Sequence, residues 1–439
     1  MEKTTLFENA CILTMDAQMR VIRGGYVLTR GERIAAVGEG TFDGACDARI
    51  DACGGILLPG FVNTHGHTSM VPFRTMGDDC PDRLRRFLFP LENEAMTPQL
   101  TYWGAMFGIC EMLLAGVTTF VDMYYFEDEV ARACRDMRVR GYLGETIISQ
   151  PTCDSAQPNG GLAIARQMLE RYADDPYVRP ILAVHGTTTC DEEALRRAHE
   201  LAVQHNTLLT LHVSEMDYEM EHFAAQGMTP VGYLKHIGAL DERLLAAHCI
   251  HLTPEDIELL REGGAAVAHC VASNTKAGKG VAPVAALARA GVPYGLGTDG
   301  PASGNTLSLF DQMRLFANFH KTANHDRGLF PAREIVAAAT RGGAQALGAG
   351  DAYGQIAPGM KADLVVVSTK AAHMFPLYNP YSALVYGANA SDVDMVMTGG
   401  ELRVRGGRLL GVDLEEIRAQ LTAHMQPFLR SAEKYADII

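Results

Sequence analysis

Short apolar runs alternate with longer amphipathic stretches through the middle of the chain. The apolar runs are nearly continuous, as in strands of a parallel sheet that is buried on both faces. Helical stretches such as "QLTYWGAMFGICEMLLAG" and "DEEALRRAHELAVQHN" separate most of them. The eight strand-like segments are "FVNTH", "TTFVDM", "YLGETII", "RPILAVHG", "LLTLHVSE", "LLAAHCIH", "AAVAHC" and "PYGLGTDG". This order predicts an α/β fold, a (β/α)₈ TIM barrel over residues 59–359.

The two ends of the chain show another pattern, in which short β segments are separated by turn residues. "ACILTMDA", "GGYVLTRG" and "ERIAAVGEG" lie near the start, and "ADLVVVST", "DVDMVMTGG" and "ELRVRGGRLL" near the end. Gly31 and the pair Gly406 and Gly407 mark hairpins. Since neither set makes a core alone, we predict that residues 1–58 and 360–439 together form a small composite β-sandwich domain. The helical spacing from about Leu414 to Tyr435 predicts a helix packed on the outside.

Composition narrows the class of protein and its partners. The 439 residues are 47% hydrophobic and 21% charged, which is ordinary for a soluble globular protein. A formal net charge of −14 argues against a nucleic-acid partner, because phosphate binding needs an excess of lysine and arginine. The ten cysteines form no CxxC motif and indicate reduced thiols. No signal peptide and no apolar run of about 18 residues is found, so we expect a cytoplasmic protein without a membrane partner.

Polar residues concentrate where the predicted strands end. In a barrel of this kind the chemistry lies at the carboxyl ends of the strands. These ends carry, in chain order, His65 and His67 on the first strand, His185 on the fourth, His212 with Glu215 just beyond it on the fifth, His248 on the sixth and Asp299 on the eighth.

His65 and His67 form the first part of a predicted metal site. Side chains two residues apart on a strand point to the same face, so both imidazoles can share one ion. Imidazole suits zinc or iron, and a carboxylate can complete a site that keeps one position open. His212 and Asp299 are the natural additional ligands, so that the four ligands come from three different strands.

Glu215 is predicted to move protons rather than to bind the metal. It lies three residues after His212, so on a continued strand the two side chains would face opposite ways. If the strand ends near Val213, Glu215 can lean back over the mouth and act as a general acid or base. His248 would hold the attacking water or polarise the reacting centre, and Asp299 would receive the proton of the water first.

Other polar residues have simpler interpretations. His185 is equally compatible with a polar core residue and with a substrate contact. His269 in "VAHC" is interpreted as structural or as support for a neighbouring ligand. Arg83, Arg85 and Arg86 are interpreted as the solvated face of a helix, with a role near the substrate as the alternative.

The set of motifs resembles a known group of enzymes. "LPGFVNTHGHTSM", "FPLENE", "LLAGVTTFVDMY", "LHVSEMDYE", "AAHCIHL", "VAHCVASNTKAGKGVAPV" and "GTDGPASGNTLSLF" span nearly the whole predicted barrel. They are similar to the amidohydrolase superfamily, and more closely to its methylthioadenosine/S-adenosylhomocysteine deaminase and chlorohydrolase (triazine hydrolase-like) family. The terminal segments match the composite β-sandwich of that family.

The resemblance implies a metal-dependent aminohydrolase of a small aminated heterocycle. One divalent ion per chain, zinc or alternatively iron(II), would be held by His65, His67, His212 and Asp299. It implies Glu215 as proton shuttle and His248 as the residue that orients the water. It further implies a homodimer or homotetramer, and substrate contacts from Glu92 to ribose hydroxyls, from His185, and from Ser303 near the far end of the substrate.

Two departures leave the substrate open. After its histidine the fourth strand reads "HGTTTC", without the proline or tyrosine usual in the family. Family members that bind a carboxylate tail often carry an arginine shortly before this strand, but the stretch "SQPTCDSAQPNGGLAIAR" has none before Arg166. An adenine nucleoside is the first hypothesis; a pterin or guanine-type base and a triazine chlorohydrolase-like reaction are alternatives. A third hypothesis is a barrel that has lost catalysis and serves as a binding or assembly subunit. The presence of Glu215 and of the whole ligand set argues against it. We expect "RTMGDDCPDRLRRFLFPLENE" to form part of the pocket and a lid.

Overall fold

The computed structural model describes residues 2–438, which contain two nine-stranded sheets. Most of the barrel strands are short and almost fully buried, which explains their continuous apolar sequences. The strands are β1 (Thr4–Leu13), β2 (Val21–Arg30), β3 (Arg33–Glu39), β4 (Ala48–Asp51), β5 (Ile56–Pro59), β6 (Phe61–Asn63), β7 (Val117–Tyr124), β8 (Arg140–Ile147), β9 (Val178–Pro180), β10 (Leu182–Gly186), β11 (Leu209–Val213), β12 (Leu244–His248), β13 (Ala266–His269), β14 (Tyr294–Leu296), β15 (Leu364–Val367), β16 (Val393–Thr398), β17 (Glu401–Arg405) and β18 (Arg408–Leu409).

The first sheet is the predicted barrel. Its strands are parallel in the order β6, β7, β8, β10, β11, β12, β13, β14, with β9 beside β8. The first and last strands meet just beyond their ends, where Thr64 N donates to Leu296 O at 3.0 Å and Asp299 N to His65 O at 3.1 Å. These bonds define the seam of the barrel and bring chain positions more than two hundred residues apart into contact. The eight predicted strands and the fold class are confirmed.

Helices surround the barrel. Among residues 2–438, none combines the length and the apolar character that a membrane span needs. The helices are α1 (Phe89–Ala95), α2 (Pro98–Leu114), α3 (Glu127–Met137), α4 (Gly161–Arg171), α5 (Glu192–His205), α6 (Asp217–Ala224), α7 (Pro230–His236), α8 (Pro254–Gly263), α9 (Val271–Lys276), α10 (Val284–Ala290), α11 (Leu309–Ala323), α12 (Ala332–Ala337), α13 (Gly343–Ala346), α14 (Pro380–Ser382) and α15 (Leu414–Ala432).

The second sheet joins both ends of the chain. Its order is β18, β17, β16, β15, β5, β1, β2, β3, with β4 beside β1. The junction is the antiparallel pair of β5 and β15, in which Leu58 lies opposite Val365. The predicted hairpins connect β2 to β3 at Gly31, whose φ is +53°, and β17 to β18. The chain ends thus contribute to one mixed sheet, whereas the exact domain boundaries stay a prediction.

The helix α15 returns the chain to the mouth of the barrel. It packs against α1 and α2, and the ring of Phe428 lies 4.7 Å from that of Phe73 in the segment after β6. Phe428 is fully buried. The predicted terminal helix therefore covers the segment that follows β6.

Candidate active site

His65, His67 and Asp299 meet at the seam of the barrel. The two histidines follow the end of β6, with ring centroids 4.9 Å apart, and His67 Nε2 lies 3.2 Å from Asp299 Oδ1. Burial acts to lower the pKa of His67, but the hydrogen bond and charge of Asp299 raise it to about 9. Burial likewise acts to raise the pKa of Asp299, yet His67 holds it well below its usual range. Ligands predicted from the first and eighth strands therefore lie side by side.

Two of the predicted ligands are oriented by backbone carbonyls. His67 Nδ1 lies 2.6 Å from Met123 O, and His212 Nδ1 bonds His185 O. Because a carbonyl oxygen only accepts, both rings carry a proton on Nδ1, so Nε2 is the nitrogen that can bind an ion once His67 gives up the Nε2 proton that faces Asp299. This is the form in which an imidazole binds a metal.

The residues fit a divalent ion. His65 is fully buried, yet neither of its ring nitrogens has a hydrogen-bond partner among the described residues. Its ligand atom lies within 4.8 Å of those of His67 and Asp299, and the same spacing joins His65, His212 and His248. Burial lowers the pKa of His65 well below 6.5 and that of His212 to about 4, so both are neutral. A cation at this point would satisfy the buried nitrogens.

A turn after β11 brings Glu215 back over the mouth. The strand ends at Val213, and Ser214 has a left-handed φ of +51°. The buried carboxylate of Glu219 fixes this turn, because it accepts bonds from Ser214 N at 3.0 Å and Glu215 N at 2.8 Å. The strand therefore ends at Val213, which was the condition for Glu215 to face the mouth. Glu219, which the sequence analysis did not single out, holds the turn that follows.

The segment after β13, which comprises α9 and the loop that follows it, orients both proposed proton-handling groups. Asn274 Oδ1 lies 2.8 Å from His248 Nδ1, which leaves His248 Nε2 facing Glu215 at 3.8 Å. Lys279 Nζ lies 2.5 Å from Glu215 Oε1. Burial acts to raise the pKa of Glu215, but the charges of His248 and Lys279 lower it below its usual range. Neither Asn274 nor Lys279 was predicted; their place in "SNTKAGK", directly after a barrel strand, was the available signal.

A cavity of about 480 Å³ opens above these residues. All three residues predicted to contact the substrate line it, together with residues of the segment that follows β6, among them the stretch 78–84. The cavity is the natural place for a small heterocycle. Its lining includes Asp78, Arg83, Phe89, Glu92, Tyr124, His185, Glu215, His248, Lys279, Asp299 and Ser303.

Glu92 lies on α1 in the wall of the cavity. It is buried, and Tyr124 Oη donates a hydrogen bond of 3.0 Å to its Oε1. Burial raises the pKa of Glu92 to about 7, although the hydrogen bond from Tyr124 acts against this. Glu92 can therefore bind a hydroxyl group as donor or as acceptor near neutral pH.

His185 is a pocket residue rather than a residue of the barrel core. Its Nδ1 lies 2.8 Å from Thr189 Oγ1, and its ring contacts those of Phe89 and His212 at centroid distances of 5.2 and 5.0 Å. Burial lowers its pKa to about 3, so the ring is neutral. The unusual sequence "HGTTTC" thus supplies, through Thr189, the partner that orients His185.

The segment after β6 closes over the cavity through a cluster of charges. Asp78 is bound by Lys276 Nζ at 2.6 Å, Asn305 Nδ2 at 2.9 Å and Arg83 Nη1 at 3.2 Å. Arg83 also donates to Ala302 O at 2.6 Å. The interpretation of Arg83 as part of a solvated helix face is therefore wrong, because the chain turns it inward onto the loop after β14.

The remaining arginines of this segment follow the prediction. Arg85 and Arg86 are exposed, and the guanidinium of Arg85 lies 4.4 Å from the ring centroid of Tyr218. Ser303 Oγ lies 3.4 Å from Arg83 Nη2, which places Ser303 at the outer edge of the cavity.

The match to a protein family agrees with this architecture. The model of the amidohydrolase family matches residues 56–403, which cover the barrel and part of the composite sheet. The chain belongs to the amidohydrolase family.

Known relatives of this amidohydrolase include deaminases and a chlorohydrolase. A 5-methylthioadenosine/S-adenosylhomocysteine deaminase from Syntrophobacter fumaroxidans is 38% identical, over 94% of this chain and 95% of that one. The structure of an adenosine deaminase from Xanthomonas campestris with bound zinc superposes with a TM-score of 0.94 at 31% identity, covering 97% and 98% of the two chains. The structure of an atrazine chlorohydrolase from Arthrobacter aurescens with zinc superposes with a TM-score of 0.89 at 25% identity, covering 96% of this chain and 100% of that one.

One further histidine of the amidohydrolase has a structural place. His269 at the end of β13 is fully buried and its Nε2 lies 2.9 Å from His320 Nε2 on α11. The pair lies outside the cavity lining. This agrees with the interpretation of His269 as structural.

Replacement of Glu92 by glutamine should stabilise the amidohydrolase at alkaline pH. The folded protein holds the proton of Glu92 up to about pH 7, whereas 4.5 is usual for an unfolded chain. Stability is therefore full below pH 4.5 and falls between pH 4.5 and 7, by up to about 3 kcal/mol. Glu92→Gln removes this loss. The free energy of unfolding in urea of the variant should therefore exceed that of the parent protein by more at pH 8 than at pH 5.5.

The matched control for this prediction is Glu94→Gln. Glu94 is exposed on the same helix. Its replacement should leave the change in the free energy of unfolding between pH 5.5 and pH 8 close to that of the parent protein. An advantage of Glu92→Gln that is the same at both pH values would contradict the prediction.

Proposed function

We propose that this amidohydrolase is a metal-dependent aminohydrolase that deaminates an adenine nucleoside, such as adenosine, methylthioadenosine or S-adenosylhomocysteine. The observation that carries the proposal is Glu215 above the cluster of His65, His67, His212 and Asp299, at the base of a cavity. A carboxylate in this place can take a proton from the attacking water and give it to a ring nitrogen, which makes the neighbouring amino-bearing carbon open to attack. The names of the deaminase relatives support the same class of reaction.

The ion is proposed to be zinc, with iron(II) as the alternative. His65, His67, His212 and Asp299 would hold it. When bound, such an ion lowers the pKa of water so that a nucleophile is available near pH 7. The three imidazoles and one carboxylate suit this borderline-soft cation.

The residues around the ion site divide the proton transfers. His248, fixed by Asn274, would orient the attacking water toward the amino-bearing carbon. Asp299 would take one proton of that water and pass it to the amino group, whereas Glu215, a carboxylate at rest, would take up the other proton and deliver it to the ring nitrogen. The bond from carbon to the amino group then breaks, and ammonia leaves with the proton it needs.

The cavity wall is proposed to recognise the nucleoside. Glu92 would bind ribose hydroxyls, His185 the ring system and Ser303 the far end of the substrate. The cluster of Asp78 and Arg83 would keep water out of the mouth while the segment after β6 is closed.

An ammonia-release assay over a panel of substrates tests the proposal. The panel comprises adenosine, methylthioadenosine, S-adenosylhomocysteine, guanine, cytosine, pterins and melamine-like triazines, with chloride release measured for a chlorotriazine. We expect the highest kcat/KM for one of the adenine nucleosides. Preference for a pterin, for guanine or for the chlorotriazine would replace the proposed substrate class by the corresponding alternative.

Glu92→Ala should weaken deamination of a nucleoside far more than that of its free base. If Glu92 binds ribose hydroxyls, its loss removes hydrogen bonds that only the nucleoside makes, each costing about 1–3 kcal/mol when a charged group takes part. We therefore expect kcat/KM for adenosine to fall at least tenfold, with adenine changed little. Glu94→Ala is the control, and equal losses for both substrates would exclude ribose binding by Glu92.

The assembly and the compartment are further proposals. We infer a homodimer or homotetramer, as the family resemblance implies, which light scattering of the purified protein tests. We also infer a reducing compartment such as the cytoplasm, because the ten cysteines are free thiols in the described part of the chain. A monomer in solution would overturn the first inference, and a secreted native protein the second.

A further inference from the structure

The ammonium group of Lys279 is the closest cation to Glu215. Lys279 lies in the loop after α9, and its Nζ is 2.5 Å from Glu215 Oε1. Only 23% of the Lys279 side chain and 17% of the Glu215 side chain are exposed. A lysine held in a largely buried position needs a partner for its charge, and here the partner is the proposed proton shuttle.

The loop conformation aims Lys279 at this point. Gly278 and Gly280 on either side have φ values of +66° and +125°, which favour glycine. Lys279 N donates to Asn274 O at 3.0 Å, and Asn274 in turn orients His248. The helix α9 and the loop that follows it therefore position both groups that face each other across the mouth.

The side chain of Glu215 depends on this contact for its orientation. Glu219 fixes only the backbone of Glu215. His248 Nε2 lies 3.8 Å from the carboxylate, which is longer than a hydrogen bond, whereas Lys279 Nζ is at hydrogen-bond distance. Without Lys279 the carboxylate would lose its one hydrogen-bond partner among the described residues and could rotate away from the reacting ring.

We propose that Lys279 is a positioning residue for the deamination, whose ammonium holds the carboxylate of Glu215 over the mouth where it faces His248. The inference rests on the proposed function, because it assigns Lys279 an effect through Glu215. It predicts a loss of turnover rather than of substrate binding. A misplacement of about 1 Å can cost about 100-fold in rate, so we expect Lys279→Met to lower kcat at least tenfold with KM changed less than threefold.

The test compares Lys279→Met, Lys279→Arg and the double variant Glu215→Gln/Lys279→Met on the best substrate of the panel. Arginine keeps the cation and should restore kcat to within about fivefold of the parent protein. If Lys279 acts through Glu215, Lys279→Met should have little further effect once Glu215 is glutamine. Equal losses in both backgrounds, or an unchanged kcat in Lys279→Met, would overturn the proposal.

A second measurement separates this inference from the proposed function. Crystal structures of the parent protein and of Lys279→Met should show Glu215 turned away from His248 only in the variant. This result does not depend on which substrate is turned over, so an inactive panel would count against the proposed function alone. An unmoved Glu215 in the variant would overturn the role of Lys279. Arg289→Met, at an exposed cation on α10, is the control and should leave both kcat and the position of Glu215 unchanged.

Discussion

Glu215→Gln should retain its metal and lose about two to four orders of magnitude in kcat. Glutamine has nearly the same shape as glutamate and can still accept a bond from Lys279, so the turn held by Glu219 should persist. It cannot exchange a proton with the substrate ring, and general acid–base catalysis contributes about 10²–10⁴-fold to a rate. Ammonia release measured beside elemental analysis of the same preparation separates the two effects.

Glu221→Gln is the matched control for this prediction, because Glu221 is exposed on α6 a few residues further along the chain. It should keep both metal and turnover. Activity of Glu215→Gln within tenfold of the parent protein would mean that another group carries the proton.

His65→Ala should lose the metal and, with it, essentially all activity. His65 is fully buried and both of its ring nitrogens lack partners among the described residues, so its place in the fold is explained by a ligand role. The purified parent protein should contain about one zinc or iron per chain, since its ligand cluster fits one ion. Chelation should abolish ammonia release, and added zinc should restore it in the parent protein but not in the variant.

The control for the metal prediction is His222→Ala, which changes an exposed histidine on α6. It should keep one metal per chain and respond to chelation and zinc as the parent protein does. Less than a tenth of an equivalent of metal in parent protein prepared without chelator would contradict the metal site itself.

The ends of strands were readable from the sequence because periodicity and barrel geometry fix where they lie. Eight apolar runs predicted the eight barrel strands, and that order alone placed His65, His212 and Asp299 around one mouth. The position of Glu215 needed one more condition, the end of β11 at Val213. That condition could be stated from the sequence, but the turn at Ser214 that meets it could not.

Contacts between segments that follow different strands could not be predicted from the sequence in the same way. Asn274 on α9 and Lys279 in the loop that follows contact His248 and Glu215, which lie at or after the ends of other strands, and no spacing rule links such positions. Arg83 shows the opposite error, since its run of charges looks solvated until the chain folds it onto the loop after β14. Local pattern predicts which face of an element is polar, whereas the partner of a polar loop residue depends on the closed barrel.

The pairing of β5 with β15 has a consequence for synthesis of the protein. Strands β1 to β5 emerge from the ribosome first, but their central partner β15 begins at Leu364. The roughly 300 residues between them take about 15 to 60 s to translate at typical rates. During that time the edge of β5 is open while the barrel forms beside it. The last strands thus determine when the nascent chain stops being exposed to aggregation, and a truncated product would leave this edge unpaired for good.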